Sequence, residues 1–261
     1  MRMARSIFNG TLHVDGTNIP VKLYSAVEPR AVSFRLLHAP DHVPIRQRMV
    51  HPETGEEVPL KEARKGLVLP GGMVVLHEEE LAELEPEPSR DIEVLRFVEP
   101  AKLNHQWYVR PYYLGPADES DDYFALARAL AQEQREGIVR WTMRKKVYHG
   151  ALRASGDYLA LISLRSAAEV VDVEALPEPA WPNPSDAELK MARQLVEMLE
   201  AELDWSQFHD HYAEQVAALA EAKAQGRVAK LPEIKVKPAS EGPLAEALAA
   251  SIARLKERHV A

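Results

Sequence analysis

Short runs of β-branched and aromatic residues alternate with turn residues over the first 180 residues of the chain. Runs of this length, bounded by glycine, proline and charged residues, are typical of β-strands. The Pro70–Gly71–Gly72 step between two of them predicts a hairpin. Many short strands with little helix between them favour an antiparallel β-barrel or sandwich. The predicted strands are NIPVKLYSA, VSFRLL, GLVL, MVVL, IEVLRFV, HQWYVRPYYL, GIVRWTM, VYHGAL and YLALISL.

One helix is predicted inside this strand-rich region, before the run GIVRWTM. Ser120 can cap its first turn, and Asp121 and Asp122 favour the positive end of its dipole. Gly137 is a residue at which such a helix can end. Its apolar face, at helical spacing, consists of Tyr123, Leu126, Ala127 and Leu130.

A hairpin is predicted directly after that helix, with Ile138 to Met143 and Val147 to Leu152 as its strands. Arg144, Lys145 and Lys146 lie at or near its turn. These three cations would therefore project from the end of a rigid sheet.

The pattern changes at LPEPAWPNP, Leu176 to Pro184, where proline prevents regular structure and indicates a connection between modules. Ser185 and Glu188 then form a capping-box pattern. Apolar residues at helical spacing predict two helices, the second of which ends near Gly226. The first carries Leu189, Ala192, Leu195, Val196, Leu199 and Leu203, and the second carries Phe208, Tyr212, Val216 and Leu219.

The C-terminal part is predicted to be an exposed linker followed by a short amphipathic helix. The linker runs from Arg227 to Pro243 and contains three prolines. We therefore divide the chain into a β-rich core at 1–180, a helical arm at 181–226, a linker at 227–243 and a terminal helix at 244–261. The apolar stripe of that last helix is Leu244, Leu248, Ile252 and Leu255.

The composition is that of an ordinary globular protein, with 46% hydrophobic and 28% charged residues. The chain has no cysteine, which excludes disulfides, thiol catalysis and cysteine-ligated zinc. The N-terminal sequence MRMARSIFNG lacks the apolar run of a signal peptide, and no stretch approaches the ~20 apolar residues of a membrane span. We expect a soluble, cytoplasmic protein with no membrane partner.

Charge is distributed unevenly along the chain, whose formal net charge is −8. Glu78 to Glu99 contains nine acids and two bases, whereas Gly137 to Gly156 contains five bases and no acid. Surface charges are screened beyond about 8–10 Å at physiological salt. A basic face that binds a polyanion is therefore compatible with an acidic protein.

No sequence pattern predicts catalysis. The glycine-rich phosphate loops and the G-x-S-x-G elbow are absent from the sequence. His38 and His42 fit a loop, and His209 and His211, two residues apart on the predicted helix, would not share a face. The acidic residues after MVVL fit the start of a helix better than a metal site; they are Glu78, Glu79, Glu80 and Glu83. We expect no enzymatic activity, no metal and no cofactor.

Six segments, taken in order, resemble the prokaryotic Ku proteins over roughly Ser6 to Gly226. They are NIPVKLYSA, VSFRLLH, ETGEEVPL, RPYYLGP, GIVRWTMRKKVYHGALRASGDYLALISLR and SDAELKMARQLVEMLEAELDWSQFHDHY. None is a mechanistic motif alone, and their ordered occurrence carries the resemblance. It implies a mixed β/α fold, with an antiparallel β-barrel core, an inserted bridging arm and an α-helical C-terminal arm.

The resemblance also implies a function. Two subunits would close a ring around double-stranded DNA, load at DNA ends, and recruit ATP-dependent DNA ligase D for non-homologous end joining. The protein would be nucleoid-associated when bound to DNA. An acidic homodimeric scaffold that does not bind DNA and a metal-dependent nuclease are the competing hypotheses.

A ring that accepts ends of any sequence should contact phosphate and sugar rather than base edges. Lysine and arginine should therefore line it, while the acidic stretch Glu78 to Glu99 faces outward. On this resemblance, the strongest candidates for the ring lining lie in the bridging arm and in the strands that lead into it. They are Arg46, Arg48, Lys61, Arg64, Lys65, Lys102 and Arg110. Arg35, Arg144, Lys145 and Lys146 come next.

The resemblance places partner recruitment C-terminally, so the stripe Leu244, Leu248, Ile252 and Leu255 is the predicted ligase-docking surface. For the two helices before it, core packing and a dimer contact remain equally open.

Overall fold

A β-barrel and a set of C-terminal helices make up the computed structural model, which describes residues 5–118, 121–177, 184–227, 249 and 251–252. The chain forms two units, Met1–Arg30 with Arg35–Ala175, and Ala31–Phe34 with Leu176–Ala261. The strands of the described residues are β1 (Phe8–Val14), β2 (Thr17–Ser25), β3 (Lys65–Leu69), β4 (Gly72–Leu76), β5 (Asp91–Val98), β6 (Tyr108–Pro116), β7 (Glu136–Met143), β8 (Lys146–Ser155) and β9 (Tyr158–Leu164). The α-helices are α1 (Glu78–Glu83), α2 (Asp121–Gln132), α3 (Asp186–Leu199) and α4 (His211–Ala224).

Seven strands close the barrel in the order β1-β2-β6-β9-β8-β7-β5. The neighbours are antiparallel except β1 and β5, which run parallel and close the barrel. Gly10 on β1 lies so near the Arg90 carbonyl that an added Cβ would come within 2.1 Å of its oxygen. Strands β3 and β4 form a separate hairpin. The predicted antiparallel barrel is confirmed. The parallel pairing of β1 with β5 was not predicted from the sequence.

Alternating residues of the strands fill the barrel interior. The buried side chains include Leu12, Ile19, Leu23, Trp141 and Leu161. Helix α2 packs on β8 and β9, with Tyr123, Ala127 and Leu130 buried as the sequence predicts.

The buried hydroxyl of Tyr123 anchors α2 to two strands. It donates to the Leu114 carbonyl on β6 and accepts from the Leu159 N–H on β9 at 2.8 Å. Burial raises the pKa of Tyr123 to about 12, so the phenol remains a donor at any physiological pH.

Several local predictions are wrong. VSFRLL is not a strand, because the extended segment around it makes only the isolated bridge between Leu37 and Pro44. Gly137 does not end α2: the helix stops at Gln132, Gln134 takes the left-handed conformation, and Gly137 lies within β7. Leu203 and Phe208 lie outside α3 and α4. The expected cap Ser120 lies outside the described residues.

Helix α3 of the second unit begins where the sequence predicts. Ser185 accepts from the Glu188 N–H at 3.3 Å, and the Glu188 carboxylate accepts from the Ser185 N–H at 2.8 Å. This reciprocal capping box lowers the pKa of Glu188, chiefly through the backbone hydrogen bond from Ser185. Among the described residues, no helix has both the length and the hydropathy that a membrane crossing requires.

Candidate nucleic-acid interface

The strand register brings several chain segments to one end of the barrel. β2 ends at Ser25, which pairs with Tyr112 on β6. β5 starts at Asp91, near the last residues of β7, and β7 continues into β8 through a tight turn. The chain therefore leaves the barrel after Ser25 and returns before Asp91 at the same end. We call this end of the barrel the arm end. Residues 35–77, which lie between these two points of the chain, are called the arm.

Arg110 lies at the arm end, where the chain leaves the barrel. Its Nη2 donates to the Ser25 hydroxyl at 3.2 Å, and its guanidinium lies 5.7 Å from the centre of the Tyr112 ring. The Ala26 N–H also donates to the Pro111 carbonyl at 3.4 Å. These contacts orient the exposed guanidinium of Arg110 at the point where the chain leaves the barrel.

The Arg144–Lys145 turn also lies at the arm end, beside the segment through which the chain returns. Lys145 Nζ is 2.9 Å from Glu85 Oε2, and this ion pair links the turn to the segment between α1 and β5. Lys146 Nζ lies 5.6 Å from the centre of the Tyr148 ring. The acidic stretch therefore neutralises one member of the predicted cation cluster.

The arm carries six of the predicted cations, all of them exposed. Arg48 Nη1 donates to Glu57 Oε2 at 2.8 Å, and Arg64 Nη1 donates to the Lys61 and Ala63 carbonyls at 2.9 and 3.1 Å. Within the described residues, the other side chains of this set make no ion pair or hydrogen bond: Arg35, Arg46, Lys61 and Lys65. They are available to a ligand.

The register does not bring Lys102 to the arm end. It follows β5, whose last residue Val98 pairs with Glu136 at the opposite end of β7. Glu136 itself is buried, accepts from the hydroxyl of Tyr108 on β6 at 2.9 Å, and lies 2.7 Å from Arg153 Nη2. Burial and this carboxylate raise the pKa of Tyr108 to about 12. The cluster has a structural explanation, since it pairs a buried charge.

Two arginines of the arm end were not predicted from the sequence. Arg165 follows β9, and its Nη1 donates to the carbonyls of Gln106 and Tyr108 at 2.7 and 2.6 Å. Arg90 shares a cleft with Arg144 and Lys145. Neither belongs to a basic run in the sequence, so only the strand register reveals their position.

The arm also exposes apolar side chains. No side chain of residues 35–77 is buried in the single chain. Its thirteen large apolar residues that are exposed range from 46% for Val74 to 75% for Leu60. Full burial of one such side chain is worth about 1.5–3 kcal/mol, and an isolated two-stranded hairpin is marginal in water. An arm of this composition favours association with another protein surface.

The described part of the helical region exposes apolar residues as well. Trp205 and Phe208 are 73% and 71% exposed, with their ring centres 5.6 Å apart. Of the predicted ligase-docking stripe, only Ile252 lies within the described residues, and its side chain is buried. Leu244, Leu248 and Leu255 lie outside them.

The described residues contain no group of three or more histidine, aspartate or glutamate side chains placed to hold a metal ion. Glu78, Glu79, Glu80 and Glu83 form α1 as expected. His209 precedes α4 rather than lying on it, and its ring is 5.3 Å from that of His211. The prediction that both histidines lie on one helix is therefore wrong.

The arrangement at the arm end fits a polyanion better than a small molecule. Its cations are exposed and spread over strand ends and loops, and phosphate contacts of this kind carry no sequence information. Several are paired with acids or carbonyls, which limits how strongly each can attract an anion.

Comparison with known proteins agrees with this fold. The family model described as Ku70/Ku80 beta-barrel domain matches residues 13–191. The chain is 35% identical over 252 residues to "Non-homologous end joining protein Ku 2" of Geotalea uraniireducens, covering 96% of this chain and 98% of the relative. It is 34% identical to the Anaeromyxobacter protein "Non-homologous end joining protein Ku", covering 98% and 88%. The protein of that name from Mycobacterium tuberculosis is 34% identical over 85% of this chain and 84% of its own length.

Proposed function

The chain belongs to the Ku family, and from this premise we propose that it binds double-stranded DNA ends of any sequence in non-homologous end joining. The observation that carries the proposal is the arm end: Arg110 and the Arg144–Lys145 turn flank the two points where a cation-bearing arm joins the barrel. Phosphate contacts from such cations are independent of base sequence.

The binding species is a homodimer that closes a ring around the duplex. The exposed apolar residues of the arm support this assembly, because a second copy would cover them and would double every basic patch. A closed ring admits DNA only at an end and then allows it to slide inward. The predicted lining at the arm end and on the arm consists of Arg35, Arg46, Arg48, Lys61, Arg64, Lys65, Arg110, Arg144, Lys145 and Lys146, and Lys102 is its predicted member towards the other end of the barrel.

The bound ring protects the end and recruits ATP-dependent DNA ligase D through the predicted C-terminal stripe Leu244, Leu248, Ile252 and Leu255. The protein itself catalyses no step. It acts in the cytoplasm, associated with the nucleoid when bound to DNA.

Fluorescence titration of two linear duplexes of equal length and unrelated sequence tests the proposal. The affinities should agree, and log K should fall linearly with log salt by about 0.9 for each phosphate contacted. Absence of binding at low salt would favour the acidic scaffold instead. Magnesium-dependent cleavage of the duplex would favour the nuclease.

A further inference from the structure

The turn between β7 and β8 has an unusual backbone for its sequence. Met143 pairs with Lys146, so the turn contains only Arg144 and Lys145, whose φ angles are 51° and 64°. Such a turn favours glycine, asparagine or aspartate, because other side chains are strained at positive φ.

The same chain builds an equivalent turn from favoured residues. Val14 pairs with Thr17, and Asp15 and Gly16 between them have φ of 39° and 86°. The barrel therefore carries an Asp–Gly turn at one hairpin and an Arg–Lys turn at another. Strain retained at a particular place is a reason to look for a function there, and the two side chains concerned are both cationic.

Lys145 already has an anionic partner in the free chain. Its Nζ lies 3.0 and 2.9 Å from the two carboxylate oxygens of Glu85. The lysine side chain is 73% exposed and the glutamate 34%. Exposed ion pairs are weak, so a stronger anion can displace the carboxylate. Prolines on both sides of Glu87, Pro86 and Pro88, restrict the segment that holds Glu85.

The surroundings of the Lys145–Glu85 ion pair favour an anion as a second, alternative partner of Lys145. Arg144, Lys145, Arg90, Glu85 and Glu87 border a common cleft of about 700 Å³, so its cations outnumber its acids. Arg144 makes no ion pair within the described part of the chain. Tyr148, which Lys146 overlies, stacks on buried Trp141 at 5.3 Å and gives the hairpin a rigid base.

We propose that Lys145 exchanges Glu85 for a DNA phosphate. Glu85 is then an intramolecular competitor of DNA for the Lys145 ammonium group. The proposal rests on the proposed function and specifies how one of its contacts is regulated. A cation that must first leave an internal partner adds less affinity than a free cation. Glu85 thus limits how tightly the arm end holds the duplex.

A set of matched substitutions tests the exchange by titration of a linear duplex at low salt. Glu85→Gln should raise affinity roughly two- to fivefold per subunit, the range expected when an exposed ion pair is removed. Glu87→Gln is the control. Glu87 lies two residues from Glu85 and carries the same charge, but it makes no ion pair within the described residues. The control should change affinity by less.

The decisive comparison repeats Glu85→Gln in a Lys145→Gln background. If Glu85 acts through Lys145, the gain falls to the level of Glu87→Gln. An equal gain with and without Lys145 would mean that Glu85 acts only through its long-range charge, and would overturn the proposal. No gain from Glu85→Gln in the original background would overturn it as well.

A second variant uses the strain in the turn. Arg144→Asn with Lys145→Gly keeps the two-residue turn and replaces its residues with those that positive φ favours. Tm should rise by about 2–4 °C, while the affinity for DNA falls. Unchanged affinity would contradict a role for the turn in binding. If the unaltered protein binds no linear duplex, the proposed function itself fails; if it binds and these variants match it, only the exchange fails.

Discussion

His13 on β1 and Asp91 on β5 join the two strands that close the barrel, with His13 Nε2 2.9 Å from Asp91 Oδ1. His13 Nδ1 lies 2.6 Å from the side-chain oxygen of Asn18. Both ring nitrogens thus face oxygen acceptors, and both can donate only when the imidazole is protonated. The hydrogen bond to Asp91 raises the pKa of His13, and the same bond lowers the pKa of Asp91.

This pair predicts a pH-dependent contribution to stability. The His13 contribution is complete below the unfolded pKa of about 6.5 and is lost as pH rises through the raised folded pKa. The Asp91 contribution is present above about 3.9 and is lost as pH falls through the lowered folded pKa. Because the side chains are 37% and 63% exposed, we expect less than about 1 kcal/mol in total.

Thermal unfolding between pH 5 and 9 measures this effect. His13→Gln should lower Tm most near pH 5–6 and progressively less above pH 7. His149→Gln, at an exposed position on β8, is the control and should show no such trend. A decrease of Tm in His13→Gln that stays constant from pH 5 to 9 would contradict the protonated pair.

The strand pattern predicted most of the barrel because alternation is a local property. It did not identify β1, since FNGTLHV has few β-branched residues and is held by pairing on both sides. The run VSFRLL has the composition of a strand but finds no continuous partner strand. The prediction that Gly137 ends helix α2 failed because the helix already ends at Gln132, and Gln134 then takes a positive φ. Such outcomes depend on tertiary contacts rather than on local sequence.

The proposed dimer predicts that charge on the arm hairpin will separate the subunits. Val68 and Met73 pair directly across β3 and β4 and are 73% and 70% exposed. Val68→Asp with Met73→Asp should shift the mass in solution from about twice 29.3 kDa to that of one chain. The barrel should remain folded, because no buried residue changes.

Light scattering measures the mass, and circular dichroism checks the fold. Val171→Asp is a matched control, since this residue is 74% exposed and lies outside the arm. A double arm variant that stays dimeric would place the subunit contact elsewhere.

Arg110 and Lys102 should differ in their contributions to DNA affinity. Arg110 is held at the arm end by Ser25, whereas the register places Lys102 towards the other end of the barrel. Arg110→Gln should weaken binding to all linear duplexes equally and reduce the salt slope by about 0.9 for each phosphate that is no longer neutralised. Lys102→Gln should have the smaller effect on both. Equal effects would mean that the lining extends over both ends.

Removal of residues 242–261 should separate end binding from ligase stimulation. Affinity for linear duplexes should be unchanged, because the predicted lining lies outside this segment. Stimulation of ATP-dependent ligase D in a joining assay should fall. Leu248→Asp, at another position of the predicted docking stripe, is the narrower variant and should reproduce the decrease. A truncated protein that no longer binds DNA would assign the segment to the interface instead.

The candidate interface could be predicted only in part. Charge clustering identified Arg144, Lys145 and Lys146, and the resemblance identified the arm cations. The Lys145–Glu85 pair joins residues 60 positions apart, and the Arg110–Ser25 contact joins residues 85 apart. No local pattern encodes either contact, because barrel closure and strand register create both.

The ring is tested most directly by competition between linear and covalently closed circular DNA of the same sequence at the same salt. A fluorescent linear duplex bound to the protein is challenged with each unlabelled form. The ring predicts that the linear form competes well and the closed circle poorly, and that one cut in the circle restores competition. Equal competition by the closed circle and the linear duplex would contradict the ring.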